Sequence, residues 1–143
     1  MTQHKYCYDY PRPAVSADCV VIDKDDKKIL LIERKNDPFK NMWALPGGFV
    51  EEDETVKAGA IRELKEETGL NHIHIELIDV FSDPERDPRG RIITAAYLAF
   101  VNNTDLKPVA GDDAGKVQWF PLDDLPSLAF DHSLIIEEAL KMI

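Results

Sequence analysis

The chain has 143 residues, the length of one domain, with 44% hydrophobic and 31% charged residues, an ordinary balance for a soluble globular protein. Acidic residues number 27 and Lys plus Arg 17, giving a formal net charge of −10, the wrong sign for a general nucleic-acid binder, which needs a basic footprint. No apolar run approaches the ~18 residues of a membrane span, the N-terminal MTQHKYCYDYPRP has no apolar secretory stretch, and Cys7 and Cys19 make neither a disulfide framework nor a zinc quartet. The expectation is a single cytoplasmic domain over 1–143 with no nucleic-acid or membrane partner.

Residues 1–13 read as an aromatic, polar lead-in arm with Pro11 and Pro13. Residues 14–22, rich in Val and Ile, predict a strand that seats Cys19 as a small core residue. After the polar turn 23–27, KILLIE at 28–33 predicts a second strand and so a hairpin. Residues 34–43 are irregular and lead to the punctuation of Pro46-Gly47-Gly48. Residues 55–68 predict a helix closed by Gly69. Strands are predicted over 72–81, 91–101 and 116–120, with a proline-containing loop at 82–90 and another loop at 102–115. Apolar Leu134, Ile135, Ala139 and Met142 give 130–142 the spacing of a closing helix. Strands predominate over two helices, so the fold class is α/β or α+β.

The informative stretch is GFVEEDETVKAGAIRELKEETGL at 48–70. At about 100° per residue, Glu67 falls about 40° and Glu66 about 60° from Glu63, so three carboxylates share one face. They border the apolar stripe of Val56, Ala60, Ile61 and Leu64, while Lys65 points away. This is locally unfavourable. Like charges at i, i+4 repel by about 0.2–0.5 kcal/mol, anions in the last turn oppose the helix dipole, and a mid-helix glycine, Gly59, costs about 1 kcal/mol relative to Ala. Two readings fit: a solvated acidic face, or a site for a hard divalent cation such as Mg²⁺, which takes oxygen ligands and would relieve the repulsion.

The same stretch resembles the Nudix box, G-x5-E-x7-R-E-U-x-E-E-x-G-U with U a bulky apolar residue. Gly48, Glu54, Arg62-Glu63-Leu64, Glu66-Glu67 and Gly69-Leu70 fill every specified position. The resemblance implies an α/β/α sandwich with a central mixed sheet. It implies a hydrolase that cleaves a nucleoside diphosphate linked to another moiety, using Mg²⁺ or Mn²⁺ and a water acidified by the metal. By resemblance, Glu63 and Glu67 are the principal metal ligands, Glu66 a further one, and the Gly47 carbonyl another. Glu54 and Arg62 hold loop and helix in register through a salt bridge. The general base is a box glutamate or an acid on a later loop, and AGDDA at 110–114 offers Asp112 and Asp113 as auxiliary ligand or base; the alternative is that they only start turns.

Pro84 stands fifteen positions after Gly69, a placement associated with ADP-ribose pyrophosphatases. With YDYPRPAVSADCVV, DPERDPRGRIITAAYLAF and FDHSLI, the chain resembles the ADP-ribose-processing branch and the Nudix-related regulators that sense ADP-ribose. Those regulators carry a winged-helix domain, and with FDHSLIIEEALKMI closing the sequence the expectation is that no module for DNA binding accompanies the domain. The resemblance implies cleavage of ADP-ribose to AMP and ribose 5-phosphate, with a (d)NTP pyrophosphatase and a sensor of little turnover as alternatives, and a homodimer as the assembly. Arg86, Arg89 and Arg91 form a local cationic cluster, and Arg34 with Lys35 precedes the glycine turn. Arg86, Arg89 and Arg34 are candidates for phosphate or ribose contact beside Gly48, since the guanidinium fork suits phosphate; the alternative is a solvated loop. Tyr8, Tyr10, Phe39 and Trp43 are candidates to stack on adenine, or core residues. His132 reads as capping or packing at a helix start.

Overall fold

The structure, a computed structural model, describes residues 6–102 and 114–143. Its elements are β1 (Ala14–Asp23), β2 (Lys28–Arg34), β3 (Trp43–Ala44), β4 (Gly47–Phe49), α1 (Val56–Thr68), β5 (Glu76–Phe81), β6 (Ile92–Val101), β7 (Ala114–Pro121) and α2 (His132–Leu140). The seven strands form one mixed sheet in the order β3-β2-β1-β6-β5, with β4 also on β1 and β7 also on β2. β1 lies antiparallel to β2 and parallel to β6 over its whole length, from Ala14↔Ile92 to Asp23↔Val101.

Alternation along β1 divides the core. Ala17, Cys19 and Val21 pack with Ala60 and Leu64 of α1 on one face, and Val20 and Ile22 pack with Ile135, Ile136 and Ala139 of α2 on the other. Both faces of the central strands are therefore covered, which is why 17–23 and 29–32 are continuously buried rather than alternating. The result is the expected α/β/α sandwich. Leu64, 1% exposed, joins α1 to the sheet, and its truncation to Ala removes about 2–5 kcal/mol by the usual cavity cost.

The predicted helices and their boundaries have local causes. The Thr55 hydroxyl accepts from the Ala58 N–H at 3.1 Å and caps α1, and Gly69, in the left-handed region at φ 78°, ends it. α2 starts at His132 rather than 130 because Phe130 has φ 52°, outside the helical range. β5 starts at Glu76 rather than 72, since His72 at φ 57° turns the chain first. The glycine turn departs most from expectation. Gly47–Phe49 is a strand, antiparallel to β1 through Asp18↔Gly47, Ala17↔Gly48 and Ser16↔Phe49. No helix among the described residues is long and apolar enough to cross a membrane.

Candidate active site

β4 brings the glycines onto β1, and α1 passes behind them. A cavity of about 480 Å³ opens there, reached by side chains from both faces of the sheet. Its α1 wall is organised by Arg62. The guanidinium forks onto Glu54 at 2.9 and 2.7 Å, meets Glu63 at 2.8 Å and Glu66 at 3.0 Å, and donates to the Phe49 carbonyl at 3.1 Å. Hydrogen bonds from Arg62, with a further one from the Glu51 N–H, hold the Glu54 carboxyl down to about 2. The Glu54–Arg62 bridge implied by resemblance is thus present, and it ties the 51–54 loop to α1.

Glu63 and Glu67 both line the cavity. Gly47 donates its N–H to Glu67 Oε1 at 2.7 Å. A Cβ at Gly48 would stand 2.5 Å from the Glu63 carboxyl carbon, and one at Gly47 would collide with the Ala17 carbonyl and Asp18 Oδ1. Gly47 therefore needs glycine for close approach to the β1 backbone, while a Cβ at Gly48 would displace the Glu63 carboxylate. Gly59 faces Glu54 and Val50 rather than the cavity, so its missing side chain makes room for the Glu54–Arg62 bridge. Glu66 is drawn to Arg62, with its side chain 57% exposed, and does not line the cavity.

Among the described residues no three His, Cys, Asp or Glu side chains are gathered closely enough to hold a metal ion by themselves. The donor set nonetheless suits Mg²⁺, which is commonly held by one or two carboxylates with substrate phosphates and waters completing the shell. Glu63 and Glu67 supply those hard oxygens beside a cradle that any Cβ would fill. Asp112 and Asp113 lie outside the described residues.

The facing wall is cationic and aromatic. Arg34, Lys35, Arg89, Phe49 and Phe130 line it. Arg34 Nε donates to the Pro38 carbonyl at 2.7 Å, and its guanidinium lies 4.9 Å from the Phe130 ring centre. Burial, then the nearby Arg89 charge, draw Arg34 below its ordinary value. Arg89 lies 5.1 Å from the Phe49 ring and 5.2 Å from the Phe130 ring, and is held by Asp87 at 2.8 Å. Burial alone would raise Asp87; the Arg89 hydrogen bonds outweigh it and keep the carboxyl below its ordinary value. Arg86 also borders the cavity, but its side chain is 3% exposed and its fork grips Asp131 at 2.9 and 2.7 Å, anchoring the 82–90 loop to the start of α2.

The nominated aromatics sit elsewhere. Tyr8 borders a separate shallow hollow with Tyr6 and Pro13, Tyr10 is exposed, Trp43 packs edge-on to Phe120, and Phe39 packs edge-on to Phe130. Phe49 and Phe130, which do line the cavity, escaped the sequence reading because nothing local distinguishes them from core phenylalanines.

The third part of the cavity is a buried polar floor. Asp18, 7% exposed, points from β1 toward the α2 side; its Oδ2 accepts from the Thr94 hydroxyl at 2.7 Å. His132 is buried at the start of α2, and its Nδ1 accepts from the Leu45 N–H at 3.0 Å. The other ring nitrogen, Nε2, lies 3.8 Å from Asp18 Oδ2. Burial lowers the His132 value, and the charges of Asp18 and Asp131 only partly oppose it. Packing at the helix start is thus what the sequence led one to expect of His132. Asp18 was missed, although an acid inside the apolar run AVSADCVVI was a signal in plain view.

Residues 12–140 match the NUDIX domain family. An ADP-ribose pyrophosphatase of Methanocaldococcus jannaschii is 49% identical over 132 residues, covering 92% of this chain and 76% of that protein. The ADPR responsive transcriptional repressor NtrR of Acinetobacter baylyi is 36% identical over 141 residues, covering 94% of this chain, which spans only 56% of the repressor. Among solved structures, the NUDIX domain of Shewanella oneidensis NrtR complexed with ADP ribose superposes with a TM-score of 0.86 at 32% identity, covering 94% of this chain and 93% of that one.

Proposed function

This chain belongs to the Nudix family of pyrophosphohydrolases, and we propose that it hydrolyses ADP-ribose to AMP and ribose 5-phosphate with Mg²⁺ or Mn²⁺ at the α1 wall. The observation that carries this reading is the meeting, in one cavity, of Glu63 and Glu67 with the guanidinium groups of Arg34 and Arg89. A pyrophosphate carries negative charge, and the carboxylates alone would repel it. Bound metal supplies charge neutralisation and acidifies water. The chain's own groups do the positioning. Arg62 fixes the Glu63 carboxylate and Gly47 N–H fixes Glu67, so little reorganisation is needed as charge develops. Arg34 and Arg89 face the pyrophosphate from the other side and favour its anionic oxygens. A box glutamate, or Asp112 or Asp113, takes the proton of the attacking water. The Methanocaldococcus relative and the ADP-ribose complex of the structural neighbour support the choice of substrate.

The test is a panel of ADP-ribose, NADH, a diadenosine polyphosphate and (d)NTPs with Mg²⁺, with products identified. AMP and ribose 5-phosphate from ADP-ribose, at the highest kcat/KM, are expected. Pyrophosphate released from a preferred triphosphate would replace this substrate with a sanitising one. A second reading, a sensor of ADP-ribose, is favoured by the similarity to the Acinetobacter repressor; tight ADP-ribose binding without product in Mg²⁺ would establish it instead.

A further inference from the structure

The polar floor sets a buried carboxylate in a cavity that arginines also line. Asp18 is a buried carboxylate on the α2 side of the sheet, and Arg34, Arg86 and Arg89 line the same cavity. It does not pair with any of them: its Oδ2 takes the Thr94 hydroxyl at 2.7 Å, while Arg86 is spent on Asp131 and Arg89 on Asp87. A phosphate oxygen brought against Asp18 would be repelled. The group that suits a buried carboxylate is a neutral donor.

His132 completes the arrangement. A backbone N–H is always a donor, so Leu45 N–H fixes Nδ1 as the acceptor. A neutral ring therefore carries its proton on Nε2, the nitrogen that lies 3.8 Å from Asp18 Oδ2. This gap is too long for a direct hydrogen bond. A hydroxyl oxygen set to one side of the Nε2–Oδ2 line reaches both at about 2.7–3.0 Å, accepting from Nε2–H and donating to Oδ2, with an angle of about 80–90° between the two contacts. Both residues line the cavity. Gly47 pairs with Asp18 across the β1–β4 ladder and donates to Glu67, so a single residue separates the floor from the carboxylate wall. A hydroxyl held on the floor thus belongs to a sugar joined closely to the pyrophosphate.

We propose that Asp18 and His132 form a hydroxyl-reading subsite, in which the Asp18 carboxylate accepts from, and His132 Nε2–H donates to, one ribose hydroxyl of the substrate. The subsite selects a nucleoside diphosphate sugar by that hydroxyl and makes Asp18 a specificity residue of the reaction. It rests on the ADP-ribose reading above. Thr94 acts through Asp18: its hydroxyl holds Oδ2 in place and is a positioning group.

The experiment is a cycle between residue and hydroxyl. The unsubstituted protein, Asp18→Asn and His132→Gln are assayed on ADP-ribose and on four analogues, each lacking one 2- or 3-hydroxyl of one of the two riboses, with thermal unfolding of each variant recorded alongside. One analogue is expected to lose about 10–100-fold in kcat/KM with the unsubstituted protein, the range for a hydrogen bond to a charged group. Asp18→Asn is expected to lose a similar factor on ADP-ribose, and removal of the matched hydroxyl then costs that variant little more. If Asp18→Asn does not fold, His132→Gln carries the cycle, and the four analogues on the unsubstituted protein stand without any variant. Losses that multiply to within about twofold for all four analogues, as independent sites do, overturn the subsite. So does an unsubstituted protein indifferent to all four hydroxyls. Both results leave ADP-ribose hydrolysis standing. Absence of ADP-ribose turnover by the unsubstituted protein overturns the functional reading and the subsite with it.

Discussion

The α1 wall and the polar floor share a cavity but are built differently. The wall comes from one stretch, Glu54 to Glu67, whose groups meet because a helix repeats every 3.6 residues. The floor joins Asp18 of β1 to Thr94 of β6, 76 positions away, and sets Asp18 beside His132 of α2. Charge is handled differently too. On the wall, several carboxylates share one partly exposed arginine. On the floor and its rim, each buried group has a dedicated partner: Arg86 with Asp131, Asp18 with Thr94, His132 with Leu45. On the proposed function the wall matters more to chemistry than to stability, whereas the floor bears on stability as well, because a buried polar group left without its partner costs more than an exposed one.

The largest effect expected from that contrast is on turnover. Glu63→Gln and Glu67→Gln each remove a charge from the wall without removing volume, and kcat on ADP-ribose should fall by about 10²–10³-fold or more. Urea midpoints should move little. Near-unsubstituted rates in both variants would remove the wall from the mechanism.

The two arginines come next. Arg86→Met strands Asp131 beside a buried rim, and a loss of about 3 kcal/mol in urea unfolding is expected. Arg62→Met affects groups in better contact with water and should lower stability by about 1 kcal/mol or less, yet lower kcat more than KM binding would predict, since Glu63 loses its orienting partner. Equal stability losses in the two variants would erase the distinction drawn here.

Acid should separate the regions further. The His132 value is lowered in the folded protein, so below its ordinary value of 6.5 the unfolded chain binds the extra proton and stability falls as pH drops. Glu54 is depressed from 4.5 to about 2, so its contribution is complete above about 4.5 and is lost as pH falls toward 2. Unfolding followed from pH 7 to 5 should therefore show a decline that His132→Gln flattens and Glu54→Gln leaves unchanged. The reverse pattern would place the first acid-sensitive group on the wall.

The smallest effect concerns Gly59. Ala there gains about 1 kcal/mol of helix propensity but sets its Cβ 2.9 Å from Glu54 Oε1. The net change in unfolding free energy should lie within about 0.5 kcal/mol, while the Arg62 network loosens and kcat falls modestly.

Much of this molecule was legible beforehand. Apolar runs located β1, β2, β6 and both helices, Thr55 and Gly69 bounded α1, and helical period put Glu63 and Glu67 on one face, while the family resemblance implied the Arg62–Glu54 bridge. These features depend on the chain's own period and on contacts a few positions apart, which a linear sequence carries directly. β3 and β4 were not legible: two or three residues have no period, and Gly47–Phe49 is a strand only because β1 offers an unpaired edge there. Nor could spacing show that Glu66 would turn to Arg62 while Glu67 took the Gly47 N–H, or that Phe130 rather than Tyr8 would reach the cavity. The sequence by itself determined the order of strands and helices and the carboxylate face, which local periodicity carries, and its Nudix-box resemblance implied the family and the sandwich. The tertiary structure alone decided which arginines face the cavity, which is spent on Asp131, and that Asp18 meets His132, because those outcomes depend on strand pairing between distant segments.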